Sequence, residues 1–166
     1  EWGVPILRIK DILADSINEN SLVRCESEIA AKYKRTELKG GELVISIRGT
    51  VGAVKQVPRS LAGSNISREL AVLPLLRSVD TTFVQAVLQS VAAQRTLTNA
   101  VKGVAQRGIN LADLRDFKIV QPPLEQQSRF SHFYKNIHIQ RNNLLDHQRG
   151  LQELAMSLQL KAFNGE

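Results

Sequence analysis

Residues 123–163, PLEQQSRFSHFYKNIHIQRNNLLDHQRGLQELAMSLQLKAF, carry apolar side chains at seven-residue spacing. Phe130, Ile137, Leu144, Leu151 and Leu158 share one heptad position. Three residues beyond each stand Phe133, Gln140, His147, Leu154 and Lys161. Helical geometry puts both sets on one narrow stripe, the seam of a coiled coil rather than the broad face of a globular helix. At ~1.5 Å rise per residue the stretch makes a rod ~60 Å long. A rod of that length cannot be buried by the small domain before it, so a partner helix is expected along Phe130, Phe133, Ile137, Leu144, Leu151, Leu154 and Leu158. Gln140, His147 and Lys161 interrupt the stripe and would set register or orientation at a cost in stability.

The 166 residues are enough for one ordinary core plus this appendage. A hydrophobic fraction of 43% describes a soluble folded chain, and no apolar run is long enough for a membrane span. Cys25 is the single cysteine, which excludes an internal disulfide and suits a reducing, cytoplasmic setting. A start at Glu1 rather than Met suggests a fragment or a processed chain. The positive charge lies in front of the rod: 17 Lys and Arg against 12 Asp and Glu up to Pro123, and 5 against 4 beyond it. A pI near 9.8 favours a polyanionic partner, nucleic acid before a membrane surface.

Moving back from the rod, Pro122-Pro123 breaks Phe117-Lys118-Ile119-Val120, an expected strand, and opens the helix. Asn110 is an expected helix cap with Asp113 in the capping-box position, and Asp80 caps a helix bearing Phe83, Val84, Val87, Leu88 and Val91. A second helix follows, and then Lys102 to Gly108 reads as an exposed loop. Further strands are expected at Ile6–Lys10, Glu42–Arg48, Ala53–Val57 and Leu70–Leu75, with a short helix around Glu26–Lys34 and a loop over Arg59–Ser67. The class is therefore α+β: a small mixed domain over 1–122 and a long C-terminal coiled-coil helix over 123–166.

Gly49-Thr50-Val51-Gly52 lacks the Lys-Ser/Thr ending of a P-loop and the dinucleotide fingerprint, and reads as a glycine-permitted hairpin turn. Flanked by Arg48 and Lys55, such a turn could still hold a backbone phosphate. His132, His138 and His147 are spaced wrongly for a shared metal, and no carboxylate pair or Ser/His/Asp group emerges. No catalytic residue, metal or cofactor is expected. The basic residues carry the stronger signal. Lys32, Lys34 and Arg35 precede the central strand, while Arg48, Thr50, Lys55, Arg59, Asn65 and Arg68 follow along strands and loops. Lys102, Gln106, Arg107 and Asn110 form another polar group. Arg, Asn and Gln read base edges, whereas Lys and hydroxyls mostly hold phosphates.

Gly41-Glu42-Leu43-Val44-Ile45-Ser46-Ile47-Arg48-Gly49-Thr50-Val51-Gly52 resembles the central motif of target recognition domains in type I restriction–modification specificity subunits. Gly3-Val4-Pro5-Ile6-Leu7-Arg8-Ile9-Lys10-Asp11-Ile12 is similar to the start of such a domain. Gly108-Ile109-Asn110, Leu114 and Ile119-Val120-Gln121-Pro122-Pro123-Leu124-Glu125-Gln126-Gln127 resemble its exit into a conserved helix, and Lys161-Ala162-Phe163-Asn164-Gly165-Glu166 the close of that helix. The resemblance implies a non-catalytic subunit in which two recognition domains each read half of a bipartite DNA site. Two antiparallel helices space them and dock the methyltransferase subunits, which the restriction subunit joins. One domain and one helix here imply a fragment, or a half-subunit that pairs as a homodimer. Base-contacting residues vary with the target in that family, so the DNA residues named above rest on charge and loop position. A coiled-coil interaction scaffold and the DNA-reading tail of a fused methyltransferase–nuclease are the alternatives.

Overall fold

The computed structural model describes residues 3–102 and 108–164. Its elements run β1 (Val4–Leu7), α1 (Ile9–Leu13), β2 (Val23–Cys25), α2 (Ser27–Lys32), β3 (Leu43–Ser46), β4 (Val54–Gln56), β5 (Asn65–Ile66) and β6 (Leu70–Leu73). Helices α3 (Thr81–Gln89), α4 (Val91–Lys102), α5 (Leu111–Arg115) and α6 (Leu124–Asn164) follow. The chain is α+β with a long C-terminal helix. It divides into two compact units, Glu1–Gln127 and Ser128–Glu166.

The first unit holds two three-stranded sheets, ordered β2-β1-β5 and β4-β3-β6. β1 pairs antiparallel with β2 and parallel with β5, whereas β3 pairs antiparallel with both neighbours. All four residues of β3 are buried, so the strand has apolar packing on both faces. Val44 joins a cluster with Leu7, Ile12 and Leu38; Leu43 and Ile45 join another with Val84, Leu88 and Leu97. The period-two alternation of a strand assigns those neighbours to opposite layers.

Several local expectations are corrected. Ile9 and Lys10 belong to α1 rather than to a strand, because the Asp11 carboxylate accepts from the Arg8 amide at 2.8 Å and turns the chain into a helix. Arg59–Ser67 is not all loop: Arg59–Leu61 makes a 3-10 turn, and Asn65–Ile66 pairs with β1. Phe117–Val120 forms no strand. Phe117 and Ile119 pack on the second apolar cluster through alternate side chains, without a backbone ladder to hold them as sheet.

Two caps form as expected. Asp80 Oδ1 accepts from the Phe83 amide at 2.9 Å, and Asn110 Oδ1 from the Ala112 amide at 3.1 Å. The start of α6 is fastened within the first unit. Pro123 O accepts from the Gln127 amide, and the fully buried Gln127 side chain donates to Pro122 O at 2.7 Å. Its Oε1 accepts from the Asp80 amide at 2.9 Å, so the same side chain also touches the cap of α3.

Candidate nucleic-acid interface

The turn between β3 and β4 is built from below. The Ser46 side chain is buried, donates to Thr50 O at 2.5 Å and accepts from the Ala53 amide at 2.9 Å. The Gly52 amide donates to Ser46 O at 2.9 Å. Gly49 and Gly52 have φ of 70° and 90°, values that glycine adopts without steric cost. A side chain at Gly52 would also run into Gln94, whose Nε2 donates to Gly52 O at 2.8 Å and to Leu88 O at 2.7 Å. The result is a hairpin turn clamped to α4, displaying Arg48 and Thr50 in solvent. Beside it, Gly108 pairs with Arg48 in an antiparallel bridge, and the Ile109 amide donates to Ile47 O at 2.8 Å. A Cβ at Gly108 would stand 2.8 Å from Ile47 O, so the close approach requires a glycine.

The remaining residues expected at a DNA surface divide by environment. Lys32, Lys34, Arg35, Arg59, Arg68 and Asn110 are exposed, although Asn110 also spends its side-chain oxygen on the α5 cap. Lys55 is drawn inward: its Nζ donates to Ala14 O at 2.6 Å and Asp15 O at 2.8 Å, tying β4 to the segment after α1. Desolvation lowers its pKa below the ordinary lysine value, with Asp15 acting in the opposite direction. Asn65 is buried in β5, where its Nδ2 donates to Ala30 O at 3.3 Å. Burial and this bond set Lys55 and Asn65 apart from the exposed cations. Lys102 ends α4, and Gln106 and Arg107 lie outside the described residues.

Two features escaped the sequence reading. An apolar cavity of about 640 Å³ is walled by Ile47, Leu70, Val84, Leu88, Phe117 and Ile119, with Arg35 and Arg115 also lining it. Its signal in the sequence was the alternation Phe117-x-Ile119, read there as a strand. The second is Tyr33, exposed among Lys32, Lys34 and Arg35; the Lys-Tyr-Lys-Arg string was its signal.

In the second unit every proposed seam residue, Phe130, Phe133, Ile137, Leu144, His147, Leu151, Leu154 and Leu158, is exposed in the single chain. Phe130 and Tyr134 stack with centroids 5.8 Å apart, and Tyr134 lies 4.4 Å from the His138 ring. Asp146 and Arg149 pair at 3.4 Å. Among the described residues no cluster of His, Cys, Asp and Glu could hold a metal ion, and no helix is long and apolar enough to cross a membrane.

Comparison with known proteins places the chain in a family. Residues 3–149 match the family model described as type I restriction modification DNA specificity domain. The chain is 27% identical over 172 aligned positions to the type I restriction enzyme EcoBI specificity subunit of Escherichia coli, covering 99% of this chain and 35% of that protein. Two solved chains share the fold. One comes from a study of complex assembly and conformational transition of the type I R-M system, with a TM-score of 0.63 at 21% identity over 87% of this chain. The other is the HsdS subunit from Thermoanaerobacter tengcongensis, with a TM-score of 0.61 at 22% identity over 88%. The chain spans about a third of each relative: 35%, 33% and 32% of their lengths. With the family model covering most of its length, the chain belongs to the type I restriction modification DNA specificity domain family.

Proposed function

We propose that this chain is a sequence-specific DNA recognition module of a type I restriction–modification specificity subunit, acting in the cytoplasm without catalytic residues of its own. Residues 1–122 read DNA, and residues 123–166 supply the spacing helix. The observation that carries the reading is the clamped β3–β4 turn, with Arg48 and Thr50 held in solvent on the most buried strand of a basic domain. A clamped turn presents a guanidinium with little backbone ordering cost on binding, and arginine pairs bidentately with guanine or with phosphate. Lys32, Lys34, Arg35, Arg59 and Arg68 supply phosphate contacts that fix register without carrying sequence information.

The exposed seam on α6 supports pairing with a second helix, from another copy of the chain or from a second half of the same polypeptide. Two readers at a fixed separation recognise a bipartite site, symmetric when the halves are identical. Methyltransferase and restriction subunits are the proposed partners, brought to the site by this module. The test is random-site selection on the wild-type protein, with and without the methyltransferase subunit. Enrichment of an interrupted site is expected, with Arg48→Ala weakening it about tenfold, within the ~1–3 kcal/mol of a bidentate base contact. Enrichment of no sequence in either condition rejects DNA reading and leaves a protein-interaction scaffold.

A further inference from the structure

The string Lys32-Tyr33-Lys34-Arg35 places one aromatic ring among three cations, and all four residues are exposed. Tyr33 is 60% exposed and forms the C-cap of α2 at φ −113° and ψ 36°. Its backbone is held on both sides. The amide donates to Ala30 O at 2.9 Å, and the carbonyl accepts from the Thr36 amide at 2.9 Å and the Thr36 hydroxyl at 2.8 Å. The turn is in turn tied to the first sheet, where Glu37 bridges Asn65 and the Leu38 amide donates to Ser64 O at 2.7 Å. Among the described residues the Tyr33 ring has no aromatic or hydrogen-bonding partner.

A single exposed aromatic is ordinary on a protein surface. Here a fixed backbone carries it, so a contact would order only the two side-chain torsions of a rigid ring. Three flanking cations, moreover, favour a polyanion over a neutral apolar partner. Duplex DNA offers that pairing of chemistries, with phosphates along each strand and base edges in the groove between them.

We infer that Tyr33 is a base-contacting residue: its ring packs on base edges in the major groove, the methyl group of thymine among them, while Lys32, Lys34 and Arg35 hold the adjoining phosphates. The assignment rests on the DNA-recognition reading and locates a specificity determinant within it.

The test is random-site selection and binding titration at several salt concentrations, on the full-length wild-type protein, Tyr33→Ala, Tyr33→Phe and Lys34→Ala, with thermal melts as a folding control. Tyr33→Ala is expected to bind the wild-type site about tenfold more weakly, keep the wild-type salt slope and lose preference at one or two adjacent positions. Tyr33→Phe retains that preference because it keeps the ring. Lys34→Ala weakens binding to all sequences alike and lowers the salt slope by about one. Unchanged affinity and preference in Tyr33→Ala overturn the assignment of Tyr33 while the DNA reading stands. A wild-type protein that selects no sequence overturns both.

Discussion

At the scale of single residues, a positive charge in the sequence says little about what the charge is for. Arg48 and Lys55 flank the same turn, yet the guanidinium stands in solvent and the ammonium caps two carbonyls. Hydrogen bonds to a charged donor contribute ~1.5–3 kcal/mol when shielded, and partial exposure of Lys55 brings that toward ~1 kcal/mol. Lys55→Ala is therefore expected to lower stability by about that amount in urea denaturation. Its salt slope for DNA binding should stay at the wild-type value, and a slope lowered by about one would return Lys55 to the phosphate contacts. Asn65 illustrates the same division. An amide in a glycine- and serine-rich stretch looks available, but two residues of strand pairing bury it.

At the scale of elements, legibility followed locality. The caps Asp80 and Asn110 were readable because the side-chain oxygen and the amide it accepts from lie within three residues. β3 and its turn were readable from β-branched residues bounded by glycines. By contrast, β2 and β5 are three and two residues long and exist through pairing with β1, a contact distant in sequence. Phe117–Val120 has the alternation of a strand, but side-chain packing alone produces that alternation equally well. The candidate interface was half legible for the same reason. Residue type and charge can be counted, whereas the choice between a solvent-facing and an inward-facing lysine is made by tertiary contacts. On α6 the heptad spacing was local, whereas the partner proposed for it is not. Leu144→Asp combined with Leu151→Asp is expected to convert a paired protein to monomer in equilibrium sedimentation and leave the front unit folded by its thermal melt. A double variant that stays paired would place the seam on another face.

For the whole molecule, the separation of charge from seam lets the two proposed binding modes be distinguished by ionic strength. Contacts to phosphates release counterions, so affinity falls with a logarithmic slope of about −0.9 per phosphate on duplex DNA. With roughly five such contacts, raising salt from about 50 to about 200 mM should weaken DNA binding by several hundredfold, on the order of 10^2.7. Pairing through an apolar helix seam should change little over that range, because burial of apolar surface does not depend on screened charge. Filter binding and sedimentation across the same salt series therefore check the division of labour, and parallel loss of both would contradict it.

The strand buried on both faces has a consequence for how such a protein can change its target. Because Leu43, Val44, Ile45 and Ser46 are closed in by two apolar layers, the scaffold's integrity is decided beneath the turn. If Arg48 and Thr50 read DNA as proposed, their exchange would alter what is read while sparing the packing beneath them, because both side chains stand in solvent. On that proposal new specificities would come within reach of few substitutions, each tolerated by an interior that does not register them.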